Sequence, residues 1–288
     1  MAPKSGNTGL LSDARVYLSG PMDFVASREE EKKHGWRHRL GDFLKAMDVT
    51  VFDPWFKPEV RGLHEYGREG ETTTEQRKNW TFAQGRDGAQ TRSALAEFFW
   101  PAMHIDLRMV DTSDFIVSYC PTNVYSVGTP HEIIVARQQR KPVLLVSPRV
   151  EFPALADLRK HLANDKKATE LLQALTNQVP IKENPDGSPS LWYMPLIGGE
   201  HFFDGFGFAQ FRDKFGWTED IRIDDDESEQ PPQKPLLPFL AQLNLELPKK
   251  WDRVKQDFVA NDDWLLWDLK KDKKGADVSD ACVKGKVA

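Results

Sequence analysis

Two short apolar runs separated by a loop and a helix constrain the fold of this chain more than any other feature. The runs are Phe115–Tyr119 and Val143–Val146, and the segment between them turns at Gly128 and then has helical character until Pro142. A strand–helix–strand unit of this kind predicts two parallel strands joined by a right-handed crossover. Because parallel strands end at the same edge of a sheet, polar residues that follow each run are expected to meet there.

The same arrangement occurs near the start of the chain. Arg15–Ser19 is strand-like, Arg28–Met47 has apolar residues at helical spacing, and Val49–Phe52 is a second short strand. Helices between parallel strands cover both faces of the sheet. Three further elements are predicted: helices over Ser93–Arg108 and Ala154–Leu175, and a fifth strand over Leu191–Ile197.

Changes in composition indicate how the chain is divided. Residues 55–92 are polar and long for a loop, which is typical of a lid, a binding loop or a disordered insertion. The acidic, proline-rich run DDDESEQPPQKP marks the clearest boundary. We predict a disordered lead-in over 1–13, an α/β domain over 14–222 with an insertion at 55–92, a linker over 223–235, a small helical appendage over 236–269, and a disordered tail over 270–288.

Charge and composition exclude several classes of function. A net charge of −5 and an isoelectric point near 5.9 give no reason to expect binding to a nucleic acid polymer. Two widely separated cysteines, Cys120 and Cys282, indicate a reducing compartment rather than a disulfide framework. No apolar run reaches membrane length and the first residues lack a signal-peptide core, so we expect a cytoplasmic protein without a membrane partner.

Residues at the carboxyl ends of the strands are the candidates for ligand binding. Their loops lack the GxGxxG of a dinucleotide fold and the GxxxxGK[ST] of a P-loop, so NAD binding and P-loop hydrolysis of ATP are disfavoured and no cofactor is predicted. The candidates are Tyr17, Ser19, Gly20, Pro21, Met22 and Asp23 after the first strand, Asp53 after the second, and the loop 118–128 with Glu132 after the third.

Glu132 and Asp106 each allow two interpretations. Glu132 could be an exposed glutamate in the first turn of a helix, where the helix dipole favours a negative charge. It could instead be a carboxylate nucleophile that attacks an anomeric carbon and holds a covalent glycosyl intermediate. Asp106 could cap or pair within its own helix, or it could protonate a leaving base or orient the glutamate.

His131 and Cys120 have weaker claims to a chemical role. No second His, Cys or carboxylate stands at ligand spacing from His131, so no metal is predicted. Cys120 follows a strand without an evident histidine partner, which favours a buried structural cysteine over a nucleophile.

Four segments together resemble the nucleoside 2-deoxyribosyltransferase superfamily, which includes the related nucleoside 5′-monophosphate N-glycosidases. They are VYLSGPM at 16–22, DLRMVDTSDFIVSY at 106–119, GTPHE at 128–132 and KPVLLV at 141–146, so the resemblance covers roughly residues 15–148. The fold we predict is α/β: a Rossmann-like (flavodoxin-like) parallel five-stranded sheet with helices on both faces, plus a C-terminal extension.

The resemblance implies roles for particular residues. Glu132 would be the nucleophile that attacks C1′ of a nucleoside sugar, Asp106 would assist at the base, and Tyr17 would hydrogen-bond and orient Glu132. The remaining matched positions would bind substrate: Ser19, Gly20, Pro21, Met22, Asp23, Ser126, Gly128 and Thr129. The family also implies a homo-oligomer, a dimer or larger, in which neighbouring subunits often complete the site.

Ser126 departs from the pattern of the transferases, which usually place an aspartate six residues before the nucleophile. A carboxylate there would repel a 5′-phosphate, whereas a serine hydroxyl can donate to one, and the related N-glycosidases carry serine at this place. The resemblance therefore favours hydrolysis of a nucleoside 5′-monophosphate, with a nucleoside as the other possible substrate. Ser126 could also be an ordinary loop residue.

Three alternatives stay open at this point. The chain could be a nucleoside 2-deoxyribosyltransferase that exchanges bases. It could descend from the cytokinin-type phosphoribohydrolases, whose PGGxGTxxE motif it matches only at Gly128–Glu132. It could also be a non-catalytic nucleotide-binding or assembly module that uses the 55–92 insertion and the tryptophan-rich tail as partner surfaces.

Overall fold

A five-stranded parallel sheet organises the described part of the chain, in the order β2-β1-β3-β4-β5. This is the flavodoxin-like strand order, so the predicted α/β fold is confirmed. The computed structural model describes residues 9–22, 28–56, 76, 78–121, 126–148, 153–178, 189–197, 201–217, 231–247 and 249–260. The strands are β1 (Arg15–Ser19), β2 (Thr50–Phe52), β3 (Phe115–Tyr119), β4 (Val143–Val146) and β5 (Phe202–Phe203).

Helices lie between and after these strands. They are α1 (Arg28–His34), α2 (Trp36–Lys45), α3 (Gly85–Thr112), α4 (Gly128–Gln138), α5 (Pro153–Leu162), α6 (Lys166–Gln178), α7 (Met194–Ile197), α8 (Arg212–Phe215) and α9 (Leu236–Leu243). Short 3₁₀ turns span Pro54–Phe56, Leu191–Tyr193 and Phe208–Phe211, and an antiparallel hairpin joins β6 (Lys249–Asp252) to β7 (Asp257–Ala260). No helix in these ranges is long and apolar enough to cross a membrane.

The two faces of the sheet pack against different helices, because successive side chains of a strand alternate between faces. On one face Val16 and Leu18 of β1 belong to a core cluster that includes residues of α2 and α9. On the other face Tyr17 belongs to a second cluster, which includes Val110 of α3 and Ile133 of α4. Helices therefore cover both faces, as the sequence predicts.

The predicted fifth strand is wrong. Leu191–Ile197 forms a 3₁₀ turn followed by α7, and β5 is the two-residue strand Phe202–Phe203 beside β4. Pro195 has no backbone N–H to give to a sheet, but it is tolerated in the first turn of a helix. The hydroxyl of Ser190 accepts a hydrogen bond from the Trp192 N–H and caps the turn.

The segments outside the sheet also differ from expectation. The predicted disordered lead-in is ordered from residue 9: Leu11 is buried, and its N–H donates to the Asn244 side chain at 3.0 Å. Residues 1–8 lie outside the described ranges. Within 236–269, predicted as a helical appendage, α9 contributes four buried leucines to the main core and β6–β7 follow as a hairpin. The proposed tail, residues 270–288, lies outside the described residues.

The two predicted connecting segments are described only in part. Within the 55–92 insertion, residues 57–75 and 77 lie outside the described ranges, and α3 already begins at Gly85. At the end of the predicted linker, the N–H groups of Gln233 and Lys234 donate to the Asp204 carboxylate, each at 2.8 Å. The division of the chain into domains stays a prediction.

Candidate functional site

Glu132 lies on the face of α4 that packs against the sheet, and only 8% of its surface is exposed. The interpretation as an exposed first-turn glutamate is therefore wrong. The order β2-β1-β3 places the chain reversal between β1 and β3, where ligands bind in sheets of this type. Helix α4 begins nine residues after the end of β3 and connects β3 to β4. Its Glu132 lies beside β1.

Both carboxylate oxygens of Glu132 accept a hydrogen bond from β1. The Tyr17 hydroxyl donates to Oε1 at 2.8 Å, and the Ser19 hydroxyl donates to Oε2. Tyr17 and Ser19 are two positions apart on one strand, so their side chains point to the same face. Both are buried, and the carboxylate is held at two points by donors on a rigid element.

Burial and nearby charges set the ionisation of this group. Burial, followed by the negative charge of Asp106 on α3, raises the pKa of Glu132 to about 7, against the lowering effects of the Ser19 and Tyr17 hydrogen bonds and of Arg37. Burial and the charges of Glu132 and Asp106 also raise the pKa of Tyr17 well above its usual value, so its hydroxyl stays a donor. The structure thus brings Asp106 within electrostatic range of Glu132.

Arg37 is a residue of this region that the sequence analysis missed. It lies on α2 with 1% of its surface exposed, and its guanidinium donates to the carbonyl oxygens of Leu18, Gly20 and Pro21. A signal for it exists, because Arg37 shares the i, i+3, i+7 stripe of Leu40 and Leu44. A charged residue in the middle of an apolar stripe has to be paired inside the protein.

The turn after β1 leaves no room for a side chain at Gly20. A Cβ atom there would lie 2.8 Å from Cζ2 of Trp36 and 3.3 Å from the Tyr119 carbonyl oxygen. Close packing of α2 and β3 on the turn thus explains the glycine without a ligand. Pro21 and Met22 follow it and are partly exposed, while Asp23 lies outside the described residues.

Ser126, Gly128 and Thr129 are together at the amino end of α4. The hydroxyls of Ser126 and Thr129 share a hydrogen bond of 2.9 Å, and the Thr129 N–H donates to Ser126 Oγ at 3.4 Å. The N-cap position itself is Val127, so Ser126 contacts the first turn of α4 from the residue before the cap. Gly128 is exposed and a Cβ atom there would meet nothing, so the space beside the first turn is open.

The other candidates have structural roles in this arrangement. Burial raises the pKa of the Cys120 thiol to about 12, and Tyr193 hydrogen-bonds to it, so it is not an activated nucleophile. The Asp53 carboxylate accepts from the Trp55 N–H at 2.9 Å and caps the turn after β2. His131 is exposed. In the described ranges no group of three or more His, Cys, Asp or Glu side chains is placed to hold a metal ion.

Comparisons with known proteins yield distant structural similarities. No family model and no curated protein matches the chain. One similar solved structure is a 2-deoxyribosyltransferase from Bacillus psychrosaccharolyticus, with 22% identity, 48% of this chain and 76% of that chain covered, and a TM-score of 0.30. Another is a conserved protein from Enterococcus faecalis V583, with 12% identity, coverages of 58% and 100%, and a TM-score of 0.30. At this distance neither similarity assigns an activity to the chain.

Proposed function

We propose that this protein is an enzyme that cleaves the N-glycosidic bond of a nucleoside 5′-monophosphate, with Glu132 as the nucleophile. The observation that carries the proposal is the buried Glu132 carboxylate, held on both oxygens by Tyr17 and Ser19. Burial of a charged carboxylate is costly, and a site that only binds its ligand does not need a nucleophile. A nucleophile gains a fixed position and weak solvation.

The reaction proceeds in two displacements. In the first, a Glu132 oxygen forms a bond to C1′ while the bond from C1′ to the base nitrogen breaks, and the base leaves with the electron pair and receives a proton. In the second, a water oxygen attacks C1′, the bond to Glu132 breaks, and the water loses a proton. Asp106 is the group we assign to these proton transfers, because it is the acid whose charge acts on Glu132.

The ionisation of Glu132 suits this cycle. A pKa of about 7 leaves a substantial ionised fraction at neutral pH, and the carboxylate is a stronger nucleophile than one with an ordinary pKa. The Tyr17 and Ser19 hydroxyls direct the two oxygens and limit rotation of the carboxylate. Such positioning lowers the entropic cost of the attack.

The amino end of α4 supports a phosphorylated substrate. The partly exposed Ser126 offers its hydroxyl beside the first-turn N–H groups, and helix amino ends attract anions. Thr129 is buried and hydrogen-bonds to the Ser126 hydroxyl. A carboxylate at position 126 would oppose a phosphate at this place. Release of sugar phosphate after attack by water is therefore our preferred outcome, and transfer to a second base is the alternative.

The test is to incubate the protein with a panel of deoxynucleoside and ribonucleoside 5′-monophosphates and the matching nucleosides, with and without a free base. We expect release of base from a monophosphate, and loss of at least about a thousandfold in kcat for Glu132→Gln. Glu170→Gln, an exposed glutamate on α6, is the matched control and should retain full activity. Full activity of Glu132→Gln would contradict the mechanism, and formation of a new nucleoside would indicate the transferase.

A further inference from the structure

Arg37 is a buried cation behind the turn that follows β1. Its Nε donates to the Leu18 carbonyl at 3.2 Å, Nη2 donates to the Gly20 carbonyl at 2.7 Å, and Nη1 donates to the Pro21 carbonyl at 3.3 Å. Nη1 also forms an ion pair with Glu31 of α1 at 3.4 Å. All three nitrogens therefore donate within the protein, and the guanidinium is committed to the turn rather than to a ligand.

The three carbonyls belong to the residues on either side of Ser19. Leu18 precedes it, and Gly20 and Pro21 follow it, so one planar group fixes the backbone on both sides of this serine. Arg37 approaches from the α2 face of the sheet, whereas the Ser19 hydroxyl points to the α4 face and donates to Glu132. The turn is thus clamped between a buried cation on one side and a buried carboxylate on the other.

The charge of Arg37 acts on the same carboxylate. It is one of the influences that lower the pKa of Glu132, against burial and the Asp106 charge, and it acts in the same direction on Tyr17 and Asp53. Glu31 is its direct counter-charge, with 16% of its side chain exposed. Burial favours the protonated form of Glu132, and the positive charge of Arg37 acts against this effect.

We infer that Arg37 is a positioning residue of the proposed site, which fixes the turn that presents Ser19 to Glu132. Its charge in addition favours the ionised form of Glu132. This inference rests on the proposed function. It assigns Arg37 no contact with substrate, because its donors are used by backbone carbonyls and by Glu31. It also implies that recognition of a substrate phosphate comes from other residues.

The test compares Arg37→Met and Arg37→Lys with the unmodified chain, through the pH profile of kcat/KM for base release from the best monophosphate of the panel. Arg37→Met should move the acidic limb upward, because a positive charge that lowers the pKa of Glu132 is lost. Arg37→Lys keeps the charge but not the three-carbonyl fork, so its acidic limb should stay while kcat falls about tenfold or more.

Arg39 offers a matched control, since it is a second buried arginine of α2 and lies against Phe208 and Trp217. Arg39→Met should lower thermal stability without moving the acidic limb. If Arg37→Met folds and the acidic limb of its pH profile does not move, the inference is contradicted. Unchanged kcat in Arg37→Lys would also contradict it, and this second result is sufficient if Arg37→Met does not fold. Base release with either of these results would leave the proposed function intact, whereas no base release by the unmodified chain would contradict both.

Discussion

The two faces of β1 differ in what they contribute, although they belong to five consecutive residues. Val16 and Leu18 point to the α2 side and are fully buried among apolar side chains. Tyr17 and Ser19 point to the α4 side and end on the two oxygens of a buried carboxylate. A single strand can therefore support stability with one face and chemistry with the other, so that substitutions on its two faces should have different consequences.

The largest effect on stability is expected on the apolar face. Leu18→Ala removes a fully buried side chain and leaves a cavity, which should lower the free energy of unfolding by about 2–5 kcal/mol. Its folded fraction should keep kcat/KM within about threefold, because Tyr17 and Ser19 stay on the other face. Urea denaturation and active-site-normalised kinetics measure the two quantities. A loss of kcat/KM comparable to that of a Tyr17 variant would contradict the assignment of stability and chemistry to different faces of β1.

The face of β1 that carries Tyr17 and Ser19 holds a carboxylate that should lower the free energy of unfolding at neutral pH, where the proposed reaction takes place. The pKa of Glu132 is raised to about 7 in the folded chain, so its contribution to stability is fully present below its ordinary pKa and is lost as the pH rises through 7. Between pH 5 and pH 8 this should amount to roughly 2–3 kcal/mol. Denaturation at both pH values should show this dependence in the unmodified chain and a much smaller one in Glu132→Gln.

Tyr17→Phe removes the donor to Oε1 and keeps the ring that packs beneath α4. We expect kcat to fall about ten- to a hundredfold and the acidic limb of the pH profile to rise, because a hydrogen bond to the ionised form is lost. Stability should fall by about 1–3 kcal/mol, because a buried carboxylate oxygen loses its donor. Unfolding of this variant, or unchanged kcat, would show that the hydroxyl serves packing rather than chemistry.

The smallest effect is expected at the edge of the site. Ser126→Asp places a carboxylate at the amino end of α4, where its oxygen can still accept the hydrogen bond from the Thr129 N–H. Stability should be retained, while the ratio of kcat/KM for monophosphate over nucleoside should fall about tenfold. Ser126→Ala distinguishes loss of the hydroxyl from added charge. An unchanged ratio in the Asp variant would mean that the phosphate binds elsewhere.

Much of the sheet could be predicted because its strands are bounded by strong local signals. β1, β3 and β4 occur over the predicted residues, because each is a short run that is followed within two residues by a glycine or a proline: Gly20, Pro121 and Pro148. β5 could not be predicted, because two residues carry no periodicity and the strand exists only by pairing with β4. The apolar content of 191–197 predicts a strand, whereas Pro195 is compatible with the first turn of a helix.

The candidate site could be predicted only in part, because the surroundings of its acidic residues depend on tertiary packing. Glu132 and Tyr17 follow from motifs at strand ends, but the hydrogen bond from Ser19 to Glu132 depends on which face α4 presents to β1. The role of Arg37 could not be predicted, because lysines and arginines of a helix are usually exposed to solvent and only the tertiary packing buries this one. Local patterns thus identify the acids, whereas their surroundings come from tertiary structure.

The most direct test of the central claim is to look for the covalent intermediate. Acid quenching during turnover of a deoxynucleoside 5′-monophosphate, followed by proteolysis and mass spectrometry, should reveal a sugar phosphate adduct on the peptide 109–137, with fragmentation locating it at Glu132. The adduct should be absent in Glu132→Gln. An adduct on another residue, or base release with incorporation of water and no adduct under any quench time, would contradict Glu132 as the nucleophile.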